Sequence, residues 1–404
     1  MSNRYILMIS FIALFTALSL SSHAETKDKE KKVLVVGAGI LGASVAYHLS
    51  LTSNDVTVID MQGPASHSSR GTFAWINASW AKQPQNYHAL NQQSTAYWHT
   101  LAKELNIPIK FTGSLEWFDS AERQKRLITQ IEEQNLWSEP ARILSINEAK
   151  IREPKVNFGN TKFVASSPRD GAVDPVLATR KFLDAAAQRG AKIQYPCKLA
   201  SIAQRIANTS CGEIAFDQVV LAVGASSDII KTVAHVDIKQ RTTPGIIVIT
   251  KPMPALLNGI LVAPGVHIHQ RLDGRIVLGE QAGTPDTQAH KMRLADRPND
   301  YPNTSLALDH AQRIIQQASI YLPEMSAAQV EDVFIGWRPL PLDGHPVLGF
   351  SDSASNVYIA VTHSGVTLAP ILGKLIAQEL NTQEPLAILN EYRPSREFTS
   401  IKRY

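Results

Sequence analysis

The chain has 404 residues, 44% of them hydrophobic and 19% charged, values of an ordinary globular protein with length for two or three domain-sized units. The net charge is +4, and the one lysine-rich stretch, Lys27–Lys32, also contains acids, so nothing in the charge pattern points to nucleic acid as a partner. The two cysteines, Cys197 and Cys211, form no Cys-x-x-Cys and no metal-ligand spacing, so no metal site is expected.

Arg4 precedes an apolar segment, Tyr5–Leu20, and Ser22-His23-Ala24 follows it as a small-x-small pattern. That is the layout of a secretory signal peptide over residues 1–24, with cleavage near Ala24 and a linker over 25–31. Export to the periplasm or the extracellular space is the expectation. The alternative is a membrane anchor formed by residues 5–20, and membrane association is expected only if that segment stays uncleaved. There is no twin-Arg pair.

Val33–Val36 reads as a buried strand, and Gly37, Gly39 and Gly42 follow as G-x-G-x-x-G at the start of an apolar helix pattern. The first glycine permits the tight turn. The second lets backbone approach a pyrophosphate, and the third lets helix pack on strand. The phosphates would rest on amides of the helix N-terminus. Val56–Ile59 is a second strand, and the carboxylate at its end, Asp60, suits a ribose hydroxyl. Helical patterns follow over 87–105 and 121–135, flanking a strand near 111–118. The loop DGAVDP (170–175) leads into a helix over 176–189 that Gly190 ends. Strands are expected over 193–202, 205–209 and 213–223. A turn near Gln204 places the two cysteines across a hairpin, which leaves open whether they pair. Short strands over 245–249, 259–262, 267–271 and 276–279 follow, the last two joined by Leu272-Asp273-Gly274-Arg275 as a hairpin turn. A helix lies within 301–321. Strands over 334–337 and 346–348 flank an Asp343-Gly344 turn, and a buried strand over 357–361 precedes a helix over 368–380.

These patterns predict an α/β fold. A discontinuous Rossmann-like domain, in segments 32–85, 163–232 and 333–395, is interleaved with an α+β second domain built on an antiparallel sheet, in segments 86–162 and 233–332. Residues 396–404 are a tail. Interleaving suits a flavin dinucleotide, whose large ring is covered by several parts of the chain.

Five blocks in this order carry a resemblance: Val35–Ser44, Ala65–Ser79, Asp170–Pro175, Val219–Ser227, and Gly336–Gly349 with Tyr358–Pro370. From Lys32 to about Arg393 the chain resembles the FAD-dependent D-amino-acid oxidase / glycine oxidase family. The resemblance implies FAD held non-covalently. Gly37, Gly39 and Gly42 would take the pyrophosphate and Asp60 the adenosine ribose. Ser68, Ser69, Arg70, Gly71 and Thr72 match a second flavin loop. Cys197 falls where backbone groups meet the adenine, and Gly224 closes the strand beside the adenosine. Gly365, Val366, Thr367 and Leu368 match a loop that passes backbone amides over the pyrimidine edge of the flavin. A helix starting near Thr367 would aim its positive end there.

Arg338, in the G-x-R-P block, matches the residue that binds the substrate carboxylate, a task suited to its planar fork of donors. His363 stands where glycine oxidases carry a second Arg, and it reads equally as a substrate contact or a structural histidine. The C-terminal half has no Cys for covalent flavin attachment, and the 276–279 strand lacks the Lys that sarcosine oxidases use with oxygen. The implied reaction is oxidation of a small amino acid or secondary amine, by hydride transfer from the α carbon to flavin N5 and hydrolysis of the imine. The acceptor is O2 or a quinone or carrier. The alternatives are a membrane-linked amino-acid dehydrogenase and a non-catalytic flavin-binding protein.

Overall fold

The computed structural model describes residues 30–79, 82–241, 244–280, 296–301 and 303–400. The expected signal segment, residues 1–24, and the linker up to residue 29 lie outside the described residues.

Two sheets organise the chain. The first has six strands in the order Val347–Ser351, Ala354–Val361, Gln218–Leu221, Lys31–Val36, Asn54–Ile59, Lys192–Gln194. All neighbours are parallel except the first pair. A strand buried on both faces must be apolar throughout, and the central strand is. Val33 and Val35 pack on one layer, Leu34 and Val36 on the other. The first layer holds the helices Ile40–Leu49, Gln85–Glu104, Pro175–Ala187 and Gly365–Thr382. The second holds the meander Leu199–Ala203, Ile206–Thr209, Gly212–Ala215 and the helix Ser227–Ala234.

Local chemistry fixes these helices. Asp174 accepts hydrogen bonds from the Val176 and Leu177 amides and Pro175 occupies the first turn, so DGAVDP is a capped helix start. All ten residues of Ile40–Leu49 are buried. Pro370 lies inside Gly365–Thr382 and leaves the Val366 carbonyl without its helical donor. The Trp98 indole donates to that carbonyl (2.9 Å), and Ser94 Oγ donates to Thr367 O (2.6 Å). For this reason the Gln85–Glu104 helix belongs to the cofactor half, where the sequence reading had put it in the second domain.

The second sheet has eight strands in the order Val330–Trp337, Pro244–Thr250, Ile276–Glu280, Val266–Gln270, Ile260–Ala263, Ser114–Glu116, Phe163–Ser167, Arg142–Ser145. One pair, Ile260–Ala263 with Ser114–Glu116, is parallel and the rest are antiparallel. Strand alternation sorts its side chains. Val248, Val266, Ile268 and Leu278 pack towards the Thr304–Tyr321 helix. Ile247, Ile249 and Val277 pack on the opposite face with Phe73 and Phe334.

Two expected boundaries move. Phe163–Ser167 and Val330–Trp337 both pair in this sheet, so the second and third cofactor segments begin after them. Likewise, the strands flanking Asp343-Gly344 do not pair with each other. Val330–Trp337 lies in one sheet and Val347–Ser351 in the other, and the turn carries the chain between them.

Cys197 and Cys211 form a disulfide, with Cα atoms 5.3 Å apart and a sequence separation of 14. It closes the meander against the end of the Lys192–Gln194 strand. Closing a loop of this length removes chain entropy from the unfolded state worth about 3 kcal/mol. Cys211→Ser is therefore expected to lower the unfolding free energy by about that amount, read as a lower urea midpoint with a slope steepened by the looser unfolded chain. An unshifted midpoint would contradict it.

Candidate active site

The glycine loop is a close-packed turn. Gly37 has φ +107°, and a Cβ there would stand 2.4 Å from the Ala222 carbonyl. A Cβ on Gly42 would stand 2.0 Å from Gly37 O. A Cβ on Gly39 would meet only Ser69 Oγ, at 3.2 Å. Ser69 belongs to the second predicted loop, and its Oγ accepts from the Ile40 amide (3.0 Å). Asp60 stands beside this turn. Its Oδ2 accepts from the Ala38 amide (2.8 Å), and its Oδ1 accepts from Gln62 and Gly63 (2.9 and 2.8 Å). Carboxylate oxygens each carry two lone pairs, so Oδ2 keeps one for a hydroxyl. Cys197 is buried, and its amide donates to Asp60 O (2.7 Å). Gly224 has φ +58° and open space on its Cβ side. Gly37, Gly39, Gly42, Asp60, Ser69 and Cys197 thus form one connected group, fitted to an extended dinucleotide.

The rest of the second loop meets the eight-stranded sheet. A Cβ on Gly71 would stand 2.5 Å from Gly336 Cα, and one on Gly336 would stand 2.0 Å from Gly71 O. Two backbones therefore cross in direct contact where only glycine fits. Ser68 Oγ donates to Trp337 O beside the crossing. Arg70 pairs with Asp300 (2.8 Å) and lies 4.1 Å over the Phe334 ring. Thr72 Oγ1 accepts from the Ala74 amide (3.3 Å), and Ala74 takes φ +60°. Ser68, Arg70 and Gly71 therefore fasten the loop to the strand that leads to Arg338.

Gly365 opens its helix, after Ser364 at φ +57°. The helix starts two residues before the expected Thr367, and this changes the set of available amides. Leu368 N donates to Ser364 O (3.0 Å), so it is taken by the first helical bond and cannot serve a ring. Gly365, Val366 and Thr367 carry the first-turn amides. The Val366 and Leu368 side chains are core residues. Thr367 Oγ1 donates to Trp75 O (3.1 Å) and accepts from Asn77 N (3.2 Å), which locks the helix start to the strand Trp75–Ile76. His363 is half-buried, with Nδ1 3.2 Å from Ser364 Oγ.

Arg338 lies on the inner face of the eight-stranded sheet. Its Nε is 3.2 Å from the Cβ position of Gly245, whose lack of a side chain makes room for the guanidinium. His267 and His269 share this face with Phe73 and Trp75. Burial and then the Arg338 charge push His267 down to about 3. Burial and then Arg271 do the same for His269, whose Nε2 donates to Phe73 O (2.9 Å). Both rings are neutral at ordinary pH. A cavity of about 290 Å³ adjoins Arg338, lined also by Trp337, Lys239, Arg241 and Arg297, and none of its described lining residues is acidic.

Sequence reasoning gave no role to Gly336, Gly245, Ala74, Trp75 or His267. Gly336 and Trp75 lie inside quoted blocks, and a glycine two residues before the key Arg was the signal available for the crossing.

The family model described as FAD dependent oxidoreductase matches residues 32–379. Glycine oxidase of Pseudomonas putida is 26% identical over 385 residues, covering 90% of this chain and 98% of that protein. The bifunctional protein ThiO/ThiG of Synechocystis is 24% identical over 91% of this chain, and the chain spans about half of it, 54%. The crystal structure of glycine oxidase from Geobacillus kaustophilus superposes with a TM-score of 0.81 at 21% identity, covering 91% of this chain and all of that one.

Gly71→Ala is expected to cost about 3 kcal/mol or more, because backbone must move to admit the methyl. Gly365→Ala, whose Cβ would find its nearest atoms at 3.8 and 3.9 Å, should stay within about 1 kcal/mol of the parent. Chemical denaturation of both variants checks the contrast, and equal losses would contradict it.

Proposed function

We propose, for a chain that belongs to the DAO family of FAD-dependent oxidoreductases, that it oxidises a small amino acid or secondary amine between its α carbon and nitrogen, with Arg338 binding the substrate carboxylate. The observation that carries this reading is Arg338 laid over Gly245 beside neutral His267. A guanidinium in such a place keeps its charge for an incoming carboxylate, held by two charge-assisted hydrogen bonds.

The residues fit the cofactor. Gly37, Gly39 and Gly42 would hold the pyrophosphate of FAD, Asp60 its ribose and the backbone at Cys197 its adenine end. Ser69 would support the pyrophosphate turn, and the amides of Gly365, Val366 and Thr367 would meet the pyrimidine edge of the ring. When bound, FAD supplies the acceptor for a hydride from the substrate α carbon. The chain's own contribution is positioning and environment. Arg338 anchors one end of the substrate and so directs the α carbon. The first turn of the Gly365–Thr382 helix presents positive charge. Phe73, Trp75 and Ile247 offer apolar walls that keep water from the reacting atoms. No side-chain base is required when the amine arrives neutral, and the imine product hydrolyses in water. The cationic lining of the adjoining cavity supports an anionic substrate. Export of the chain is part of the proposal, and the Cys197–Cys211 disulfide supports it, since such bonds persist in oxidising compartments.

The protein from residue 25 onward, purified, is expected to be yellow, to release FAD on acid treatment and to bleach anaerobically with carboxylated amines. Colourless protein that cannot be reconstituted, or flavin that no amine bleaches, would sink the reading. Admitting oxygen afterwards separates an oxidase from a dehydrogenase that passes electrons to a quinone or carrier. Arg338→Met is expected to raise KM for carboxylated amines by roughly 10- to 100-fold, the loss of a hydrogen bond to a charge, and to leave uncharged amines little affected. Equal effects on both would remove Arg338 from the anchor role.

A further inference from the structure

Asp170 has no part in the function proposed above, yet its carboxyl is the most completely enclosed of the acids near the chamber. It is fully buried. Three side chains donate to one oxygen, Oδ2: Trp75 Nε1 at 3.0 Å, Ser79 Oγ at 3.1 Å and Ser114 Oγ at 2.6 Å. Oδ1 has no hydrogen-bond partner among the described residues. The donors come from both halves of the molecule. Trp75 and Ser79 follow the second flavin loop in the chain, whereas Ser114 begins a strand of the eight-stranded sheet. The Gly113 amide, next to Ser114, also donates to Asp170 O (3.0 Å).

Trp75 is the member that reaches the chamber. Its ring stands edge-on to His267, with centroids 6.1 Å apart, and packs with Phe73, Ala172, Ile260 and Val262. Its carbonyl accepts from Thr367 Oγ1. A single residue therefore links the substrate wall and the buried carboxyl, through its indole, to the start of the Gly365–Thr382 helix, through its backbone carbonyl.

We propose that Asp170 is a positioning residue: through Trp75 it fixes the wall of the substrate chamber relative to the helix start at Gly365–Thr367, and through Ser114 it ties that wall to the eight-stranded sheet. The proposal rests on the functional reading above. It also has a spectroscopic consequence that does not depend on turnover. Burial pushes the Asp170 carboxyl up to about 7, against the pull of Ser114 and Ser79. Glu139 raises it further and Lys82 lowers it. Of the other charged groups on the surrounding elements, Arg169 pairs with Glu139 (3.7 Å), Lys110 donates to Leu257 O (2.6 Å) and Glu116 is buried on the Ser114 strand. The Trp75 indole thus donates to a neutral acid below pH 7 and to a carboxylate above it. Because the folded value is raised, the stability this group contributes is full below its unfolded value of 3.8 and is lost as pH rises through 7.

The test uses the FAD-bound protein and Asp170→Asn, which preserves shape. The near-ultraviolet difference between the parent and Trp75→Phe is expected to titrate with a midpoint near 7 and to become flat in Asp170→Asn. Ser114→Ala, which removes one donor from the carboxylate, should move the midpoint upward. It keeps the test alive if the Asn variant fails to fold. With a substrate in hand, Asp170→Asn and Trp75→Phe should each raise KM roughly tenfold with kcat changed less than about threefold. The double variant should be no worse than either single one, as for two residues acting through one contact. The melting temperature of Asp170→Asn relative to the parent should rise between pH 6 and 8. A pH-dependent Trp75 signal that survives in Asp170→Asn, or KM effects that multiply in the double variant, would overturn the proposal. If no amine is turned over, the functional reading fails, and the Trp75 titration still decides whether Asp170 holds the indole.

Discussion

The backbone crossing at Gly71 and Gly336 is the constraint on which the site depends. Two side-chain-free residues let a loop from the cofactor half lie directly on a strand of the other half, closer than any Cβ would permit. Close approach is what glycine offers at the cost of chain entropy. On one side of the crossing the loop runs to Ser69, which joins the turn that opens the Ile40–Leu49 helix. On the other side the strand runs two residues to Arg338. The separation between the dinucleotide turn and the guanidinium is therefore set by backbone geometry, and Ser68 and Arg70 secure it from either flank.

A second constraint fixes the helix end. Pro370 leaves the Val366 carbonyl, in the first turn of the helix, without its helical donor, and Trp98 and Ser94 of a neighbouring helix supply hydrogen bonds to that turn. The start of Gly365–Thr382 is thereby held from behind by the Gln85–Glu104 helix and from the side by Thr367 on the Trp75 strand. Electrostatics follow from packing. The histidines on the face that carries Arg338 are buried and stay neutral, so they add no charge that would compete with the guanidinium for an anion.

Where local chemistry decides, the sequence was readable. The glycine turn, the Asp60 strand end, the capped helix at Asp174-Pro175 and the hairpin at Leu272–Arg275 all follow from residues close in the chain. Allocation to halves was not readable in the same way. Phe163–Ser167 is a short strand whose partners, Ser114–Glu116 and Arg142–Ser145, are distant in sequence, and no local pattern names them. The Gln85–Glu104 helix looked like part of the second domain until Pro370 gave it a task. The expected run of free amides reaches one residue too far, to Leu368, because a helix start is uncertain by a residue or two and that shift decides which amides are free. Asp170 stood inside a quoted block, but its burial and its three donors are properties of the assembled core.

The six-stranded sheet has its own order of completion. The strand at Gln218–Leu221 lies between Lys31–Val36 and Ala354–Val361, so one of its edges stays bare until the last strands have been synthesised. For a chain exported as proposed above, that wait lasts until those strands have crossed the membrane in their turn. During it, an apolar edge able to template foreign strands is uncovered. The strand is only four residues long, and a short edge offers little purchase to another chain.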